Sequence, residues 1–130
     1  MYKGKYFYYE ELLKDALYID IEKSNKEIDN ILVLLDSANR LDNVENNNND
    51  YNDLLNQIKS IRSKLITYAK IRTFIFTLST LEQNLINLRY KENFQWGEMQ
   101  SKINYSVTNI FRIKNGIFKK LKEYLEEDKL

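Results

Sequence analysis

Residues 81–125 read LEQNLINLRYKENFQWGEMQSKINYSVTNIFRIKNGIFKKLKEYL, and the spacing of apolar side chains within them decides the fold. Leu81, Leu85 and Leu88 recur in steps of four and three, which predicts a helix over 80–91 with those residues inward. Just upstream, Ser79-Thr80-Leu81-Glu82 has the S/T-x-x-E form of a capping box, in which each side chain satisfies an amide that the first helical turn leaves open. Asn93 can adopt the left-handed conformation that ends such a helix. A second, short helix follows over 95–102, with Trp96, Met99 and Ile103 inward. Asn104-Tyr105 forms the turn. Ser106 suits the N-cap of a third helix running to about Glu127, with an inner face of Ile110, Ile113, Ile117, Phe118, Leu121 and Leu125. A short helix, a tight turn and a longer capped helix make a helix-turn-helix arrangement.

The third helix carries chemistry suited to DNA. From Ser106 to Lys122 there are five bases (Arg112, Lys114, Lys119, Lys120 and Lys122) and no acid. Its first turns expose Val107, Thr108, Asn109, Phe111, Arg112 and Asn115. Asn can make two bonds to adenine, Arg two to guanine, and Val or Thr methyls can meet the thymine methyl. Thr108, Asn109, Arg112 and Asn115 are therefore the candidates for base readout. Arg89, Ser106, Lys114, Lys119 and Lys120 are the candidates for phosphate contacts. A plainer reading stands beside this one. A basic helical face is commonly just a solvated face, Phe111 fits an edge of the core or a partner contact, and Arg89 can pair with Glu82 or Glu92. Trp96 and Tyr90 fit the core.

Upstream, Leu17, Ile21, Ile28, Ile31, Leu35 and Ala38 form a heptad seam, with Ser24 in its polar slot. It predicts one long helix over 7–41, with any bend near residues 20–25. The Asn- and Asp-rich run at 42–50 predicts a mobile loop, because these side chains bond their own backbone and favour turns. A second seam follows: Tyr51, Leu54, Ile58, Ile61, Leu65, Tyr68 and Ile75, with Arg72 in the remaining slot. Two such helices joined by a polar loop predict an antiparallel hairpin. The expected organisation is thus a helical hairpin over 1–78 and a helix-turn-helix module over 79–130. The seams can satisfy each other or recruit a second chain as a homodimer.

Composition narrows the function. Cys and His are both absent, which removes disulfides, thiol nucleophiles, most zinc sites and the usual general base. No cofactor, metal or catalytic site is expected, and no convergent set of catalytic groups suggests an enzyme. Pro is absent and Gly occurs three times, which favours long helices. No apolar run is long enough for a bilayer span and no signal pattern opens the chain, so a cytoplasmic protein away from membranes is expected. The net charge of +1 hides an asymmetry. Residues 1–57 hold six Lys/Arg against twelve Asp/Glu, a net of −6; residues 58–78 hold five bases and no acid; residues 79–130 are net +2. An acidic arm joined to a basic module has this profile. The basic run from Lys59 to Arg72 either contacts DNA or balances the acidic first helix.

The order of these residues resembles a known family. Leu88-Arg89-Tyr90, a turn, Trp96 and Glu98, Asn104-Tyr105-Ser106, then Ile110, Arg112, Ile113, Ile117, Phe118 and Leu121 look like region 4 of bacterial sigma factors. More closely, they resemble phage and prophage transcription regulators of the RinA and ArpU type. Those proteins pair an N-terminal helical hairpin with a sigma-region-4-like helix-turn-helix. The resemblance implies binding to double-stranded promoter DNA and activation of phage late genes, with RNA polymerase nearby. Only the C-terminal forty-odd residues carry it specifically. Where the family usually has Ile-Ala, this chain has Met99-Gln100, so Gln100 has to swing aside or widen the helix crossing. Gly97 costs about 1 kcal/mol against Ala in a helix, and Gly116 leaves room for close approach of another helix or a phosphate.

The leading expectation is an all-α, sequence-specific DNA-binding regulator with its recognition helix, about 107–122, in the major groove. The alternatives are an interaction module that binds RNA polymerase or another regulator, and a structural coiled-coil phage protein.

Overall fold

A computed structural model describes residues 4–40 and 48–127. Every regular element in them is helical: α1 Phe7–Tyr18, α2 Ile21–Arg40, α3 Asn48–Phe76, α4 Thr80–Ile86 continuing into a π turn Asn87–Lys91, a 3-10 helix Trp96–Ser101, and α5 Val107–Glu127. The all-α expectation therefore holds for these residues. The expected loop at 42–50 lies outside the described residues up to 47, and α3 already includes its remaining positions.

The long helix expected over 7–41, with any bend near residues 20–25, is two helices that part beside that point. Ile19 and Asp20 separate α1 from α2. The cause is a local cap: Asp20 Oδ1 accepts the Lys23 amide at 2.9 Å, and the Asp20 carbonyl accepts the Ser24 amide at 3.1 Å. An aspartate that satisfies amides of a first turn starts a helix rather than continuing one. The heptad seam steps across this cap without registering it, because Leu17 and Ile21 keep the four-residue interval on either side.

By contacts the chain forms two compact units. One combines the chain up to Tyr18 with the chain from Tyr68 onward, and the other is Ile19–Thr67. The division differs from the boundary expected at 78/79, since α1 and the end of α3 belong with the C-terminal module.

In the Ile19–Thr67 unit, Ile28, Ile31 and Leu35 of α2 bury against Ile58 of α3, flanked by Tyr51, Leu54, Leu55, Ile61 and Leu65. Most of the described seam positions are thus packed. Ile21 is not, being exposed.

The other unit holds the larger core. Leu13 and Ala16 of α1, Ile71 and Phe74 of α3, Leu78, Leu85, Ile86, Leu88, Tyr90, Trp96, Met99, Ile110, Ile117, Phe118 and Leu121 form one buried cluster. Trp96 lies edge-on to Tyr90 and to Phe118, with ring centroids 6.3 and 6.2 Å apart. The buried positions of α3 change phase here. Ile71 and Phe74 enter the core, where the heptad series placed Tyr68 and Ile75, which are only partly buried against it. A straight helix drifts against a strict seven-residue repeat, so a seam read in one part does not extend unchanged through 29 residues. Arg72, the residue in the seam's odd slot, donates from Nε to the Ala16 carbonyl at 2.9 Å and so ties α3 to α1. The Tyr18 hydroxyl donates to the Tyr90 carbonyl, a second polar tie to α1.

A candidate nucleic-acid interface on the last helix

The start of α4 carries the capping box read from the sequence. The Glu82 amide donates to Ser79 Oγ at 3.2 Å, and Glu82 Oε1 accepts the Ser79 amide at 3.0 Å. Five residues of π turn then extend the helix to Lys91. Asn93 ends the segment at φ 64°, the left-handed conformation expected of it, with the Phe94 amide returning to the Leu88 carbonyl at 2.9 Å. The next segment is a 3-10 helix rather than an α-helix. Its opening resembles a second box that the sequence reading missed, in which the Gln95 amide donates to Glu98 Oε1 at 3.1 Å. The Q-x-x-E spacing was its signal. Trp96 and Met99 are buried from this segment, and Ile103 is half-buried.

Gln100 is exposed, so it stays out of the packing, which Trp96 and Met99 supply from this segment. Apart from chain neighbours and the local helix backbone, neither Gly97 nor Gly116 has an atom within 4 Å of where a Cβ would stand. Among the described residues no other helix comes close at Gly116, where the sequence leaves room for a helix or a phosphate.

Ser106 caps α5 through its Oγ, which accepts the Asn109 amide at 3.2 Å. From that cap the helix presents two unlike faces. Ile110, Ile117, Phe118 and Leu121 are buried. Opposite them Thr108, Arg112, Asn115, Lys119 and Lys122 follow one another in steps of four and three, and all are exposed. Residues at that spacing share one helix face, so three of the four base-readout candidates lie together on a stripe. Asn109 sits at its edge, half-buried. Arg112, Lys119 and Lys122 make no ion pair among the described residues. Lys122 was not singled out from the sequence, although its three-residue step from Lys119 marks it. Tyr105, Val107 and Phe111 add an exposed apolar rim at the same end.

The phosphate candidates are less uniform. Lys119 is exposed on the stripe, and Ser106 is exposed at its start. Lys120 is exposed too, but its Nζ lies 2.9 Å from Glu82 Oε2. The carboxylate that caps Ser79 through one oxygen thus holds α5 through the other. Burial pushes the Glu82 carboxyl up, but the bonds from Lys120 and Ser79 outweigh it and leave the group below the usual carboxylate range. Arg89 is half-buried in the π turn, its guanidinium 5.5 Å from the Tyr90 ring centroid.

Lys114 departs furthest from expectation. Its side chain is only 15% exposed, and Nζ lies 3.0 Å from Glu10 Oε1 of α1. The same ammonium stands 5.5 Å from the ring centroids of both Trp96 and Phe111. In this arrangement the charge serves the α1–α5 contact. The spacing contained the signal: Lys114 is four residues after Ile110 and three before Ile117, both buried.

Among the described residues no group of three or more His, Cys, Asp or Glu could hold a metal ion. No described helix is long and apolar enough to cross a membrane. No protein-family model matches the chain, and neither the curated proteins nor the solved structures include a significant match.

Proposed function

We propose that the chain is a sequence-specific DNA-binding transcription regulator, of the kind found in phages and mobile elements, that lays the start of α5 in the major groove. The carrying observation is the exposed stripe Thr108, Arg112, Asn115, Lys119 and Lys122, which projects from a capped helix directly opposite its buried face. Such a stripe combines what groove entry needs: short polar tips and an Arg near the helix start, and bases one to three turns further on. In this reading Thr108, Arg112 and Asn115 meet base edges, with Asn109 at their margin. Lys119 and Lys122 meet phosphates, Ser106 offers its hydroxyl at the helix start, and Arg89 and Lys120 serve only where they give up Tyr90 and Glu82. Lys114 holds the helix in place instead of touching DNA.

Anisotropy of a labelled duplex titrated with the full chain tests this. Binding that weakens steeply with salt, and that is weaker with a salt slope flatter by about two units in the Lys119→Ala, Lys122→Ala double variant, is the expected result.

One observation favours a second reading. Two of the four basic phosphate candidates are already engaged by Glu10 and Glu82, while Tyr105, Val107 and Phe111 expose apolar surface beside the stripe. An interaction module for RNA polymerase or another regulator would use that rim. It is distinguished by a polymerase complex that survives high salt, without duplex binding at low salt.

A further inference from the structure

We infer that the Ile19–Thr67 unit pairs with the same unit of a second copy through the groove between α2 and α3, so that each copy's Asp29 meets the other's Arg62. Three observations lead there. First, residues 31–35 read Ile-Leu-Val-Leu-Leu, which makes α2 apolar on every side for more than one turn. A turn of that kind asks for cover on all sides, yet only Ile31 and Leu35 are covered, while Leu32, Val33 and Leu34 are 43, 64 and 56% exposed.

Second, among the described residues the unit's own buried core is small. Its buried cluster contains Ile28, Ile31, Leu35 and Ile58. Units this small are ordinarily reinforced by disulfides, a metal or a partner chain. Cys is absent from the sequence, and no described cluster suits a metal. A partner chain is a reinforcement still open to it.

Third, the groove suits a copy of itself. It encloses about 400 Å³ between Asn25, Ile28, Asp29 and Leu32 on α2 and Arg62, Leu65 and Ile66 on α3. Ile66 is 58% exposed at its edge. One acid and one base line it from opposite helices, and neither is in an ion pair among the described residues. A two-fold contact places the same patch on both sides and therefore needs a patch complementary to itself. An Asp on one wall and an Arg on the other meet that need, in the way flanking charges choose partners in paired helices. Leu32 and Ile66, both exposed in the groove wall, supply the apolar part.

This pairing does not depend on DNA. Only its use, bringing two reading helices to two half-sites, rests on the proposed function. The test is the mass of the full chain without DNA, by sedimentation equilibrium over a micromolar concentration series. Wild type should be a dimer. Asp29→Arg alone and Arg62→Asp alone should each weaken it, by roughly tenfold or more for a like-charge contact made twice. Mixing the two variants should restore dimers, because every contact between copies is then again between opposite charges; a contact within one copy gives no such rescue. Circular dichroism of each variant reports whether its helices persist. Should they melt, Ile66→Cys in this Cys-free chain gives a second reading: oxidation should trap a disulfide-linked dimer across the groove, while Tyr8→Cys, similarly exposed but in the other unit, should not. A monomeric wild type, a mixture that fails to re-form dimers, or equal trapping at both positions would overturn the inference.

Discussion

The Lys114 ammonium lies 3.0 Å from Glu10 Oε1, with both side chains about 15% exposed. This pair joins α5, the proposed reading helix, to the first helix of the chain. Removing one partner leaves the other charge poorly solvated, which costs far more than an exposed pair is worth. Glu10→Ala should destabilise the C-terminal unit by about 1–3 kcal/mol in a denaturant titration. Trp96, the sole tryptophan, is buried in that unit and reports the transition by fluorescence. A Glu10→Leu, Lys114→Met double variant should recover much of the loss. A double variant no better than the worse single one would mean that the pair is not the source of the cost.

Arg112 and Lys119 should separate by what they change. Arg112→Ala should cost about 1–3 kcal/mol on the preferred site and relax the preference at one base pair. Lys119→Ala should weaken all duplexes alike and flatten the salt slope by about one unit. Equal losses on preferred and random DNA for Arg112→Ala would remove it from base readout. Lys114→Gln should leave the slope unchanged once its lower stability is accounted for, and a drop of one unit would return it to the phosphate contacts.

Glu82 gives the C-terminal unit an acid limb. Its carboxyl is held below the ordinary range in the folded state, so the folded protein binds that proton less readily than the unfolded chain. The resulting stabilisation is complete above the ordinary carboxylate range. It is lost as pH falls through the lowered folded value. Glu82→Gln should therefore narrow the difference between midpoints at neutral and acid pH, and Ser79→Ala should cost about 1 kcal/mol through the shared cap. A Glu82→Gln variant with the wild-type acid limb would assign that limb to other carboxylates.

Gly116 lies mid-helix, and apart from its own helix backbone and chain neighbours no atom comes within 4 Å of a Cβ position. Gly116→Ala should raise stability by about 1 kcal/mol, the helix-propensity difference. Unchanged DNA affinity would leave the position without a part in binding. A selective loss of affinity, with stability raised, would mean that a phosphate approaches the backbone there.

Much of the C-terminal module could be read from local chemistry. The Ser79–Glu82 box, the left-handed Asn93, the Ser106 cap and the buried face of α5 each depend on residues within a few positions of one another. What escaped the reading depends on distant neighbours. A bend is expected near residues 20–25, but the full break at Ile19 and Asp20 turns on Asp20 acting as a cap inside an unbroken apolar rhythm. The phase change at Ile71 and Phe74 follows from a core supplied by other elements. The expected boundary at 78/79 assumed that sequence neighbours pack together, whereas Leu13 and Ala16 of α1 are buried with Ile110 and Phe118. Of the candidate site, Thr108, Arg112, Asn115 and Lys119 fall on one exposed stripe as their spacing required. Lys114 and Lys120 carried the right charge for a phosphate but were drawn to carboxylates on other helices, which charge counting along one helix does not detect.

Selection from a pool of random duplex DNA with the purified full chain, followed by a salt titration on the enriched sequence, tests the DNA reading most directly. The account predicts one enriched motif, bound with steep salt dependence and lost on changing Arg112 and Asn115 to Ala. A pool that stays random, with weak binding that disappears at modest salt in wild type and variant alike, would contradict it.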